Sequence, residues 1–171
     1  MKRLLLACAL ALPLTLRAGD PPSDSPDLRA LKQELASPEP ERRRAAMEAL
    51  EQLGAQAAPL TSQVVAGLRD PDVDVRRHAA GLLIELECPA AIPALEDGLA
   101  HPDTLFGILC ADALGALGPR AGRSADVLLE VVLHHDDRED RIESYLAALV
   151  QLGPRALRRV REDLSALLAA E

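Results

Sequence analysis

From residue 38 onward the hydrophobic positions of the chain come round in a repeating order. Counting 8, 11, 12 and 15 residues on from Pro38 gives Ala46, Ala49, Leu50 and Leu53. The same offsets from Pro71 give Ala79, Leu82, Leu83 and Leu86, and from Pro102 they give Cys110, Ala113, Leu114 and Leu117. From Asp137 they give Tyr145, Ala148, Leu149 and Leu152. All are small, apolar or aromatic, and the i, i+3, i+4, i+7 spacing puts each set on one face of an α-helix. The anchors lie 33, 31 and 35 residues apart. The position after each set is Gly54, Glu87, Gly118 or Gly153, so three of the four predicted helices stop at a glycine, the residue that best tolerates the left-handed backbone of a helix end.

A second apolar stripe follows each stop. The stripes are Leu60, Val64, Leu68; then Ala91, Leu95, Leu99; then Leu128, Leu129, Val132, Leu133; and finally Leu157, Val160, Leu164, Leu167, Leu168. One more helix, from about Pro26 to Ala36, precedes the first repeat, with Ser25 placed as its N-cap and Pro26 at its first position. Helix pairs recurring at this interval build an α-solenoid. The expected fold is therefore all-α: about four helix pairs with an extra N-terminal helix, spanning residues 26–171. Composition agrees, since Leu and Ala supply 63 of 171 residues while Phe and Tyr occur once each and Trp not at all. A strand-based fold has too few of the residues that favour strands.

Within this pattern, Arg69-Asp-Pro-Asp-Val-Asp-Val-Arg-Arg-His-Ala-Ala80 and Ala90-Ala-Ile-Pro-Ala-Leu95 resemble HEAT repeats, in particular the short phycobilisome-lyase type found in bacteria. That pattern has Asp and Pro in the turn, Val-Arg early in the first helix and Ala-Ala in its middle. The first repeat follows it with Ser37-Pro38-Glu39 and Arg43-Arg44. The third keeps His101-Pro102-Asp103 but has Gly107-Ile108 in place of the arginine pair, and the fourth has Ile142-Glu143 there. The resemblance covers about residues 37–168. It implies a solenoid that binds its partner on the concave face, but the family hosts scaffolds, inhibitors, lyases and repair enzymes alike.

The first eighteen residues read differently. Met1-Lys2-Arg3 precedes an apolar run from Leu4 to Leu16 interrupted only by Pro13 and Thr15, and Ala18 offers a small residue for cleavage. This is the arrangement of a secretory signal peptide, and it is too short for a membrane span of roughly 20 residues. Residues 1–18 are thus expected to be removed, and 19–25, Gly-Asp-Pro-Pro-Ser-Asp-Ser, to form a flexible tail. The product would be periplasmic or secreted, with no stable membrane insertion. Leu5-Leu6-Ala7-Cys8 also resembles a lipobox, but too few apolar residues precede it, so anchoring at Cys8 is not expected. The processed chain carries 16 basic against 27 acidic side chains, net −11. Such a charge repels phosphate backbones, and with almost no aromatic rings for stacking, nucleic acid is not an expected partner.

If the second helices line the concave side, their stripes fix which residues face outward there: Ser62, Val65, Glu96, Asp97, Asp126, Glu130, Arg158 and Arg159. This face would be acidic in its middle and basic at its C-terminal end, suited to docking a protein partner. No catalytic residues or cofactor are expected, so the reading is a non-enzymatic interaction or scaffold module. The alternative is a lyase-like or other ligand- or metal-binding HEAT-like solenoid. Asp70-Pro-Asp-Val-Asp74 opens like a calcium loop but has Val75 and Gly81 where Gly and Glu are needed, so capping of the following helix is the expected role. His134-His135-Asp136-Asp137 gathers metal-capable groups in a turn, though adjacent side chains point apart. Gly122-Arg-Ser-Ala-Asp126 lacks the second glycine and the strand of a nucleophile elbow, leaving Ser124 as an expected N-cap. Cys88 and Cys110 stand nine residues apart in repeat coordinates, about 13 Å along a helix, too far to bridge within the chain. Cys88 is then either a free thiol or a link to another chain.

Overall fold

A computed structural model describes residues 26–134 and 139–169. The apolar stretch 1–18, the tail 19–25 and the His-Asp turn after His134 lie outside the described residues. Nine α-helices run through the rest: α1 (Pro26–Leu35), α2 (Pro40–Leu53), α3 (Thr61–Gly67), α4 (Val73–Leu86), α5 (Ile92–Leu99), α6 (Thr104–Leu117), α7 (Ala125–His134), α8 (Glu139–Gln151) and α9 (Pro154–Ala169). Helices α2, α4, α6 and α8 pack side by side in one layer. The others form a second, with α1 against α2, α3 against α4, α5 against α6, and α7 against both α8 and α9. This is the expected solenoid of helix pairs with an added first helix.

Local chemistry sets the helix ends. Asp72 precedes α4 in extended backbone, and its carboxylate accepts the amides of Asp74 and Val75 at 3.0 and 3.1 Å. Asp103 does the same for Phe106 at 2.9 Å ahead of α6. These carboxylates satisfy amides that have no partner inside the helix; of the calcium-like aspartates, Asp72 is the cap, while Asp70 accepts the Asp72 amide at 2.8 Å and Asp74 pairs with Arg44 and Arg77. At the other end α2, α4, α6 and α8 stop at residues with positive φ: Gly54 (54°), Glu87 (43°), Gly118 (57°) and Gly153 (95°). Glu87 is in the left-handed helical region (ψ 48°), whereas Gly54 and Gly118 have ψ of −125° and −136°.

The repeat-defining face is the core. Leu50, Leu82, Leu83, Cys110, Leu114, Tyr145 and Leu152 are buried between the layers and meet Val64, Leu95, Leu99 and Leu128 from the second helices. Full burial of each such aliphatic side chain stabilises by about 1.5–3 kcal/mol. Two of the second-helix stripes are rotated from expectation. On α7 the buried residues include Ala125, Leu128, Leu129 and Val131, while Leu133 is exposed; on α9, Ala156 is buried and Leu157 is exposed. On α7 the buried face begins one turn earlier, at Ala125, and on α9 one residue earlier, at Ala156; in each case a small alanine permits close packing. Ser124 also departs from expectation, because residues 118–124 are already a 3-10 turn running into α7. Its hydroxyl is buried without a hydrogen-bond partner and caps nothing.

Successive repeats are joined by a polar seam at the turns. Arg43 donates from Nη1 to the carbonyls of Ser37 and Pro38 at 3.0 and 3.1 Å, and forks onto Asp70 of the next turn at 2.7 and 2.8 Å. Arg76 repeats the first half, donating to the carbonyls of Asp70 and Pro71 at 2.7 and 3.0 Å. Arg44 reaches Asp72 at 3.0 Å, and Arg77 reaches Asp103 at 2.9 Å, the same link one repeat on. The third repeat has no arginine pair, yet its turn is not left bare. Arg141 reaches back from α8 and donates to the carbonyl of His101 at 3.0 Å. Tyr145 beside it donates to the carbonyl of Leu99 at 2.6 Å. Gly107 makes this possible, since a Cβ there would lie 2.7 Å from the Tyr145 hydroxyl and 3.7 Å from the Arg141 guanidinium carbon.

Candidate functional site

The second-helix layer carries all eight residues expected to face a partner, and the structure gives them unequal roles. Ser62 is exposed on α3, with its hydroxyl 2.9 Å from Gln63 Oε1. Val65, one turn on, is half-buried and packs on the core, so it supports the face more than it presents one. On α5, Asp97 is exposed and accepts from Arg69 at 2.7 Å, while Glu96 is half-buried. On α7, Glu130 is exposed and Asp126 half-buried. On α9, Arg158 and Arg159 are exposed.

The expected division into an acidic middle and a basic end is altered by pairing. Arg159 of α9 meets Asp126 of α7 at 2.6 Å, which ties the last two second helices together. Arg69 neutralises Asp97 in the same way near α3. Among the described residues, Glu96 and Glu130 form no ion pair. The charge left for a partner is therefore concentrated at Glu96 and Glu130, with Arg158 as its basic counterpart. Asp126 and Arg159 are 33 residues apart, about one repeat, as are the paired Glu87 and Arg120, whereas Arg69 and Asp97 are 28 apart.

Away from this layer, the seam aspartates are electrostatically perturbed as well. Burial alone would raise the Asp70 carboxyl, but hydrogen bonds from Arg43 and the Asp72 amide outweigh it and hold Asp70 below the ordinary carboxylate value. Asp72 is held low chiefly by Arg44. Asp103 is lowered by the Phe106 amide and Arg77 against its own desolvation. These shifts follow from capping and repeat-to-repeat pairing. Burial pushes the Cys110 thiol well above the ordinary cysteine range, so it is an apolar filler and not a nucleophile. Cys88, half-buried, is also a free thiol. Among the described residues no three His, Cys, Asp or Glu side chains converge on a point able to hold a metal, and no helix is long and apolar enough to cross a membrane.

Sequence reasoning missed two features of the surface. One is the Arg141–Tyr145 insertion at Gly107. The other is the outer side of α8, where Leu146 and Val150 stand exposed.

The chain matches the HEAT repeat family over residues 28–104 and 61–150. No curated protein matches it. Among solved structures it is similar to an engineered protein, with a TM-score of 0.64 and 20% identity over 81% of this chain and 68% of that one. It is also similar to the complex of CpcE and CpcF of phycocyanin lyase from Nostoc sp. PCC7120, with a TM-score of 0.58 and 22% identity over 86% of this chain and 92% of that one. At these identities both likenesses are of fold.

Proposed function

This chain belongs to the HEAT repeat family, and on that footing we propose that it is an exported, non-enzymatic scaffold that docks a protein partner along its second-helix layer. The observation that carries the reading is the distribution of charge on that layer. Asp97 and Asp126 are matched inside the molecule, whereas Glu96 and Glu130, on successive second helices, form no ion pair among the described residues. Two acidic side chains about one repeat apart, with Arg158 beyond them, suit an extended partner segment with basic residues at a matching interval and an acidic one at its end. Such complementarity sets approach and register more than raw affinity. With no large aromatic anchor on this layer, binding energy is spread over several helices. Export rests on the basic start and apolar run of residues 1–18.

The test is cross-linking in intact cells, followed by recovery of the chain from each compartment and identification of what accompanies it. Recovery from the envelope or medium with one dominant, salt-sensitive partner supports the reading. Glu96→Lys combined with Glu130→Lys should then release that partner while far-ultraviolet circular dichroism stays unchanged. Retention of the partner by the double variant refutes the assignment of the face. Recovery from the cytosol with residues 1–18 intact refutes export.

A further inference from the structure

We infer that two copies of this chain dock through the outer face of α8. In each earlier first-layer helix, the residues 5, 9 and 13 positions beyond the repeat anchor face the next repeat. On α2, Arg43 and Glu51 reach Asp70 and His78. On α4, the Arg76 guanidinium lies 5.7 Å over the Phe106 ring. On α6, Gly107 and Gly115 lie against Tyr145 and Gln151 of α8. The middle member of each set is sealed, with Met47, Ala80 and Ala111 exposed by 1%, 0% and 0%. On α8 the same three positions are Ile142, Leu146 and Val150. Here the middle member, Leu146, is 48% exposed and Val150 is 63% exposed. Exposed Glu143 and Ala147 border them. α8 thus presents, uncovered, the register position that forms the solenoid's internal interfaces, and it presents it with apolar side chains.

The occupant follows from the other end of the same layer. On α2 the positions that would receive a preceding repeat are Glu41, Ala45, Glu48 and Gln52, all exposed and mostly polar. Their counterparts on α4 are Asp74 and His78, which do meet α2. Stacking copies head to tail would press Leu146 and Val150 onto Glu41 and Glu48, desolvating carboxylates without partners. A two-fold arrangement sets α8 antiparallel to α8 of the second copy, so that Leu146 meets its own mate. It also sets Glu143, near the start of one α8, toward exposed Arg155, just past the end of the other. Apolar surface then covers apolar surface, and acid faces base, in one closed isologous contact.

The experiment is sedimentation equilibrium of the full chain from about 1 µM to about 1 mM, the range of weak to moderate self-association. A monomer–dimer equilibrium is expected, with Leu146→Glu raising the dissociation constant at least ~30-fold, the loss typical of a central interface residue. Val150→Lys should act in the same direction, and since both residues are largely exposed, helicity and Tm should hold. In a Cys88→Ser background, Leu146→Cys should oxidise to a covalent dimer. A wild-type chain that stays monomeric throughout overturns the proposal, as does a dimer indifferent to both variants. A disulfide formed between Leu146→Cys and Glu48→Cys chains, in place of the 146–146 bond, overturns the two-fold arrangement in favour of head-to-tail stacking.

Discussion

Replacing Gly107 by alanine should destabilise this protein although it improves the intrinsic preference of a helix. At an open mid-helix site, glycine to alanine gains about 1 kcal/mol. At Gly107 the new methyl would stand 2.7 Å from the Tyr145 hydroxyl and 3.4 Å from the Leu99 carbonyl. The hydroxyl cannot simply slide aside, because it is held 2.6 Å from that carbonyl in a buried site. Overpacking of this kind costs about 1–3 kcal/mol. Displacing the hydroxyl also strands a buried donor and acceptor at about 1–3 kcal/mol. The net expectation is a loss of about 2 kcal/mol. Tyr145→Phe alone removes the hydrogen bond and should cost about 1–2 kcal/mol. In the double variant the clash disappears with the hydroxyl, and the helix gain of alanine is partly recovered. The combined loss should therefore be smaller than the sum by at least ~1 kcal/mol, a coupling of the size expected for residues in contact. Urea unfolding followed at 222 nm measures all three variants. Additive losses, or a Gly107→Ala variant more stable than wild type, would refute the argument that this glycine exists to admit Tyr145 and Arg141.

Other expectations concern the seam, the helix stop without glycine and the thiols. Asp70, Asp72 and Asp103 are held below the ordinary carboxylate value in the folded chain, so they contribute stability that is present above their unfolded pKa of about 3.9 and is lost as pH falls through the folded values. Tm should accordingly drop as pH falls from about 5 toward 2, and Asp70→Asn should flatten that drop while lowering Tm at neutral pH; an unchanged profile would count against the seam. Glu87→Gly should stabilise by up to about 1 kcal/mol, since left-handed backbone costs a residue with a Cβ about that much and the exposed pair with Arg120 returns little; a fall in Tm would show that the pair outweighs the backbone. In native protein, iodoacetamide should modify Cys88 and spare Cys110 until denaturant is added, as read by peptide mass, and early labelling of Cys110 would contradict its burial.

The architecture was legible because helix pairs leave a double periodicity that one sequence suffices to show. Two kinds of information were not. Met47, Ala80 and Ala111 are buried, and the apolar pattern within one helix does not report the neighbours that bury them. The exchange at Gly107 crosses repeats as well: the loss of an arginine is visible in the third repeat, but its replacement enters from Arg141, a residue outside the repeat's own pattern. Leu133 and Leu157 were misplaced for a different reason. Leucine dominates hydrophobic counting, while Ala125 and Ala156, which allow the close approach, determine the buried face. For the candidate face, positions followed from the stripes, but pairing did not, because an ion pair such as Asp126–Arg159 depends on the lateral fit of two helices.

The chemistry that joins the repeats changes along the solenoid, and that change gives its two ends different capacities. Between the first and second repeats the seam is ionic, with Arg43 and Arg44 matched to Asp70 and Asp72. Between the second and third one arginine, Arg77, keeps its aspartate, while the other, Arg76, turns its guanidinium toward the Phe106 ring. Between the third and fourth, Arg141 and Tyr145 bond to backbone carbonyls. Beyond the fourth the face on α8 is aliphatic. Charged seams are geometrically exacting and resist mispairing, because a wrong neighbour leaves a desolvated charge unmatched. An aliphatic face makes no such demand. The internal repeats are therefore fixed in register by their polar turns, and the α8 face is left free of that constraint, the one stacking surface of the described first layer on which an apolar neighbour could be seated without matching an aspartate.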